Sequence, residues 1–160
     1  MGKNLFYTVA RWAIIVAVVL SLGLGGGSNS VSKADPRDVA AAVTAEIDMS
    51  QMLEGDNQLI KRFYGLDPAA YEACILYYPT TNMMAEEVLI VKLRDVSQQE
   101  AVRKAAEKRI ETQKTTFEGY GVEQFEMLTT NAVIEVRGNY VLFVVNANSA
   151  QAKKAFLKAL

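Results

Sequence analysis

Apolar positions along the chain recur with two different periods, and the switches between them mark out the elements. Val39, Val43 and Ile47 repeat every four residues behind Asp35-Pro36, a capping side chain followed by proline at the first helical position. That spacing predicts a helix over 36–47. Asp56 opens a second, shorter helix whose apolar face carries Leu59, Ile60, Phe63 and Tyr64. Lys61 and Arg62 suit its C-terminal end, and Gly65 suits the left-handed stop.

The period then changes to two. Residues 71–78 are rich in aromatic and branched side chains and read as a strand closed by Pro79. After a loop over 80–85, a second strand spans 86–94. Its Leu89, Val91 and Leu93 share one face, and Val88, Ile90, Lys92 and Arg94 the other. A long helix over 98–118 follows, free of Gly and Pro, with Val102, Ala106, Ile110, Gln113 and Phe117 at helical spacing, until Gly119 and Gly121 close it. Residues 131–137 and 140–146 form two more strands joined by Gly138-Asn139, a two-residue turn of the primed type. Ser149 caps a final helix bearing Ala152, Ala155, Phe156, Ala159 and Leu160 on its apolar side. The order ααββαββα predicts an α+β fold: a mainly antiparallel four-stranded sheet with helices packed on one face.

The first part of the chain has a different character. Lys3 and Arg11 precede an apolar run over 12–24, and a Gly/Ser-rich tether begins at Gly25. Residues 1–34 therefore read as a signal peptide or membrane anchor plus tether, and 35–160 as the folded, extracytoplasmic domain. Two cleavage positions present small residues, one after Ser30 and one after Ala34; a retained anchor fits equally. The expected location is outside the cytoplasm, held to the membrane through the N-terminal segment or secreted after cleavage.

Composition narrows the chemistry. With 51% hydrophobic and 22% charged residues, the chain is ordinary for a globular protein. All 18 acidic residues lie from Asp35 onward, whereas three of the 17 basic ones precede it, so the domain is net acidic. With no basic stripe, nucleic acid is not an expected partner. The absence of histidine rules out histidine triads, Cys-His dyads and imidazole zinc sites. Cys74 is the only cysteine, so no intramolecular disulfide or thiolate cluster can form.

Four groups of residues carry a resemblance. They are Phe63-Tyr64-Gly65-Leu66-Asp67; Ala85-Glu86-Glu87 entering a strand; Glu107-Lys108-Arg109 through Gln113; and Asn131-Ala132-Val133-Ile134 with Gly138-Asn139-Tyr140. In order and spacing they resemble the bacterial domain-of-unknown-function family four-three-five-eight, found in small exported proteins and lipoproteins of Gram-positive bacteria. The likeness covers about residues 45–148. It implies an extracytoplasmic location and a compact α+β domain, and it supplies no activity, cofactor or catalytic residue. The chain departs from many members in lacking a lipidation cysteine.

Candidate chemistry is sparse. Cys74, mid-strand between Ala73 and Ile75, reads as a small buried hydrophobe. The carboxylate pairs Glu86-Glu87, Glu107/Glu111 and Glu123/Glu126 would support glycosidase-type acid/base work only if two faced each other across a cleft. Glu86-Glu87 reads instead as charge blunting a strand edge, and Glu107/Glu111 as a solvated helix face. No Ser-x-x-Lys motif and no phosphate-cradling glycine loop occurs in the domain. Gln113, on the apolar stripe, reads as a buried amide satisfying a backbone group. No catalytic group, metal site or cofactor is expected.

The stretch that stands out is Tyr77-Tyr78-Pro79-Thr80-Thr81-Asn82-Met83-Met84, where aromatics border a loop with adjacent methionines. Tyr77, Tyr78, Asn82, Met83 and Met84 form the candidate binding surface, with the alternative that the tyrosines and one methionine merely cover the sheet. The expected function is a non-catalytic binding or interaction module at the cell envelope, its partner an unidentified envelope protein or ligand. The alternatives are a carboxylate-dependent envelope hydrolase and a structural accessory domain of a membrane assembly.

Overall fold

A computed structural model describes residues 30–160. The expected apolar segment and most of the tether lie outside the described residues. Helix α1 spans Pro36–Thr44, strand β1 Met52–Gly55 and helix α2 Asn57–Tyr64. Strands β2 (Ala73–Pro79) and β3 (Glu87–Lys92) follow, then helices α3 (Gln99–Phe117) and α4 (Val122–Thr130). Strands β4 (Ala132–Arg137) and β5 (Tyr140–Val145) lead into helix α5 (Ser149–Ala159).

Most local signals act as the sequence suggests, but Ser149 does not cap the last helix: it is the first helical residue, and Asn148 before it makes no side-chain cap bond. Asp35 Oδ1 accepts the Arg37 N–H at 2.7 Å with Pro36 next to the cap, and Asp56 Oδ1 accepts the Leu59 N–H at 2.9 Å. Gly65 closes α2 at φ 67°, where a β-carbon would be strained. Gly138 takes φ 54° while, among the described residues, no non-glycine has positive φ, which fits a primed turn with glycine first.

The sheet is antiparallel throughout, in the order β1-β2-β3-β5-β4. It has five strands rather than the expected four. β1 is a short edge strand whose Leu53 pairs with Tyr78 and whose Gly55 pairs with Leu76. Helix α4 is likewise additional, beginning directly after Gly121.

The helices cover both faces of the sheet, not one. On the first face α2, α3 and α4 bury Ile60, Tyr64, Val102, Ala106, Phe117 and Leu128 against Leu76, Leu89, Val91 and Phe143. On the second, α1 and α5 bury Val39, Val43, Ala152 and Phe156 against Ile75, Val88, Ile90, Tyr140 and Leu142. The physical reason lies in the central strands. Every residue of β3 and β5 is buried, and side chains alternate between faces, so one helical layer would leave half of each apolar strand in water. At about 1.5–3 kcal/mol for each large side chain buried, that exposure is untenable.

The hydrogen-bonded body also takes in residues just before Asp35. Ser32 exchanges bonds with Asn139 at the β4–β5 turn, N–H to Oδ1 at 2.7 Å and Nδ2 to the Ser32 carbonyl at 3.2 Å. Tyr140 Oη and Lys92 Nζ both donate to the Ala34 carbonyl, at 2.6 and 3.1 Å.

Candidate functional site

Glu87 opens β3 and shares the face of Leu89 and Val91, which turns its carboxylate toward α3. It is fully buried, at 0% exposure. A buried carboxylate is tolerated only when its lone pairs are met and its charge is balanced, and three side chains do both. Arg109 on α3 donates Nη2 to Oε2 at 2.7 Å and Nε to Oε1 at 3.0 Å, the forked geometry that suits a carboxylate. Tyr64 at the end of α2 donates its hydroxyl to Oε1. Gln113, one turn beyond Arg109, donates Nε2 to Oε2 at 3.3 Å. Burial, then the charge of Glu87 and the hydrogen bond to it, holds the Tyr64 phenol well above its ordinary pKa. Burial alone would lower the Arg109 pKa, but the hydrogen bonds and charge of Glu87 outweigh it and raise it.

This cluster corrects two readings. Glu86-Glu87 does not blunt an edge: β3 is the middle strand, and Glu87 is the most interior carboxylate of the fold. Nor does Gln113 satisfy a backbone group, since its amide nitrogen faces the carboxylate. That contact also fixes the orientation of the amide, because the flipped form would set oxygen against oxygen. Gln113 Oε1 is thereby left buried without a hydrogen-bond partner among the described residues.

Beside the cluster lies a cavity of about 380 Å³, within the size range of small-ligand sites. Its walls come from the end of α2 (Arg62, Phe63), the 78–84 stretch (Tyr78, Asn82, Met84) and α3 (Arg109, Gln113, Phe117). Phe63 is its aromatic centre: Arg109 lies over the ring at 4.1 Å and Arg62 at 5.1 Å, and Tyr78 meets it edge-on at 6.2 Å. No acidic side chain lines the cavity.

Of the five residues singled out in the sequence, the cavity brings together Tyr78, Asn82 and Met84. Tyr77 points to the opposite face, packing against the second core, as alternation along β2 requires. Met83 is turned outward, into a separate shallow concavity with Tyr120, Gly121 and Val122. Sequence reasoning passed over Arg62, Phe63 and Arg109 as site residues. The available signal was α3's buried stripe, since Arg109 and Gln113 continue the series Val102, Ala106 and point inward with it.

The remaining candidates fall to structural roles. Cys74 is part-buried against the first core, where burial and then the Asp67 charge push its thiol up to about 12. Glu107 and Glu111 pair with Arg103 and Lys114 on the outer face of α3, and Glu123 and Glu126 are exposed on α4. Glu86 lies just before β3 and takes no part in the contacts of the Glu87 carboxylate. Among the described residues no group of three or more His, Cys, Asp or Glu could hold a metal ion, and no helix is long and apolar enough to cross a membrane.

No curated protein and no solved structure matches the chain. A family model does, over residues 45–146, a stretch that holds β1 through β5 and every wall of the cavity. The chain therefore belongs to the family described as Domain of unknown function (DUF4358).

Proposed function

We propose that the protein is a non-catalytic extracytoplasmic binding module, held at the cell envelope through its N-terminal segment, and that the cavity between α2, α3 and the 78–84 stretch is where it engages its partner. The observation that carries this reading is the make-up of the cavity. Aromatic and methionine walls from Phe63, Tyr78, Met84 and Phe117 are combined with a few polar side chains, a mixture suited to adaptable contact. The lining holds no carboxylate, and the one carboxylate behind it is committed to Arg109, Tyr64 and Gln113. An acid/base pair, the requirement of the hydrolase alternative, has no counterpart among the described lining residues. The envelope location is supported by the positively flanked apolar run over 12–24.

The test is site-specific photo-crosslinking in intact cells. A photoreactive residue at Asn82, on the cavity rim, is expected to yield a discrete adduct; the same residue at Asp38, exposed on α1 across the sheet, is not. A C-terminal tag should be removed by protease added outside cells whose outer barrier has been opened. Identical crosslinks from both positions would remove the cavity from consideration, and a protected tag would remove the location.

A further inference from the structure

We infer that the ligand of this cavity is a peptide segment of a partner chain: an apolar side chain, its own backbone N–H, and a nearby carboxylate. The inference rests on the binding-site reading above and adds the chemistry. It starts from the polar groups the fold leaves unanswered. Gln113 is only 6% exposed, lines the cavity and keeps Oε1 without a partner among the described residues, while its nitrogen is held by Glu87. A buried amide oxygen in that state calls for a donor, and a peptide N–H is one.

Charge supplies the second feature. Arg109 is neutralised by Glu87 at 2.7 Å, whereas Arg62, exposed at the rim, lies over the Phe63 ring and makes no ion pair among the described residues, Asp56 lining only the concavity on its far side. With no acidic lining residue, the cavity mouth carries one uncompensated positive charge and selects a ligand with a carboxylate. The walls between these two points, Phe63, Tyr78, Met84 and Phe117, take an apolar side chain.

A third feature points to a chain rather than a small molecule. Phe117 forms one wall and packs on Tyr120 at 6.0 Å; Tyr120 in turn joins Val122 and Met83 around the neighbouring concavity. Val122 is 75% exposed, Met83 59% and Tyr120 57%. Exposed apolar side chains thus adjoin the cavity beyond Phe117 and the Met83-Met84 backbone, interspersed with Glu123 and Gln124, giving the residues that flank the anchored one a mixed surface on which to lie.

The test uses the full chain in detergent micelles with ¹³C-methyl methionine, because Met84 reports the cavity, Met83 the strip outside it, and Met49 the opposite side of the sheet. The probes are acetylated pentapeptides with Phe, Leu, Met or Tyr at the centre followed by Glu, the same peptides with Gln for Glu, and a neutral trisaccharide. The Glu peptides are expected to shift Met84 and Met83 and leave Met49 unmoved. R62Q should weaken them roughly fivefold, to the level of the Gln peptides. Q113L should weaken both sets at least about tenfold. Should the trisaccharide move Met84 while every peptide leaves it in place, the cavity is a binding site but the peptide chemistry is wrong. If no probe moves Met84 and Asn82 yields no crosslink in cells, the binding-site reading falls with it. Peptide binding indifferent to both substitutions would overturn the assigned contacts.

Discussion

Arg109 reaches across from α3 to close a two-point contact on Glu87, a carboxylate with no exposure to solvent. The pair ties the long helix to the middle strand of the sheet, and one of its members forms part of the cavity wall. Because Glu87 is wholly desolvated, removing its partner leaves a buried charge unbalanced. R109M is therefore expected to cost about 3–5 kcal/mol of stability. E87Q/R109M should regain about 2 kcal/mol of that loss, since a neutral amide oxygen still accepts from Tyr64 and its NH2 can donate to Gln113 Oε1 once the Gln113 amide turns over. Thermal unfolding of the single and double variants measures the coupling; additive losses would mean that the two residues do not act as a pair.

Alkaline pH should loosen the fold in a defined window. The phenols of Tyr64 and Tyr140 and the thiol of Cys74 are all raised above their ordinary values, in each case first by burial. A group whose folded pKa is raised keeps a proton that the unfolded chain gives up. Its contribution is complete below the unfolded pKa, near 9.0 for the thiol and 10.0 for the phenols. It is lost as pH climbs toward 12 and beyond. Y64F separates the terms: it gives up the hydrogen bond to Glu87, costing about 1.5–3 kcal/mol at pH 7, yet it should show a shallower decline above pH 10. Parallel stability curves for the variant and the parent would contradict this.

Much of the architecture was legible because it is local. The caps Asp35 and Asp56, the stop at Gly65 and the Gly138 turn each need only a few neighbouring residues. What escaped is set by tertiary pairing. β1 is a four-residue segment with Leu53 and Glu54 exposed, and its strand character comes from lying beside Tyr77 and Tyr78. α4 begins without a side-chain cap and exposes Val122 and Phe125, so its periodicity is weak. The two-sided helical cover was recoverable in principle. The continuous apolar runs of β3 and β5 are the mark of strands buried on both faces. The candidate site was half visible: the 77–84 stretch supplied Tyr78, Asn82 and Met84, but the opposing wall comes from Arg62 and Phe63 earlier in the chain and Arg109 later. No local pattern announces that Arg109 will meet Glu87, because the meeting depends on how α3 lies across the sheet.

Cys74 offers a test of whether the middle of β2 is as closed as it looks. A thiol pushed up to about 12 holds almost no thiolate near neutrality. Alkylation by iodoacetamide at pH 8 is expected to run at least about tenfold slower than that of a free cysteine. It should accelerate in R109M if that variant opens the first core, against which Cys74 packs. Mass spectrometry of quenched time points gives both rates, and a rate equal to that of free cysteine would refute the burial argument.

The residues leading into α1 limit where the chain can be cut without loss. Ser32 and Ala34 together bind Asn139, Tyr140 and Lys92, and Ser32 Oγ also donates to the Leu160 carbonyl at 3.1 Å. Asn139 is itself buried, so losing Ser32 strands an amide that water reaches poorly, and Lys92, buried as well, is left with Glu72 at 2.9 Å. Of the two cleavage positions visible in the sequence, the one after Ser30 leaves every one of these bonds in place, and the one after Ala34 removes them all. A chain beginning at Asp35 should therefore unfold at a lower temperature than one beginning at Val31, by an amount corresponding to about 2.5–5 kcal/mol if each of the lost bonds contributes about 0.5–1 kcal/mol net. N139A, which deletes only the exchange with Ser32, should cost about 1–2 kcal/mol in the chain beginning at Val31 and close to nothing in the one beginning at Asp35. That difference between the two backgrounds is the decisive reading, because a general defect in the β4–β5 turn would weaken both alike. If the protein is processed in the cell, intact-mass measurement of the mature form should then place its first residue at or before Val31.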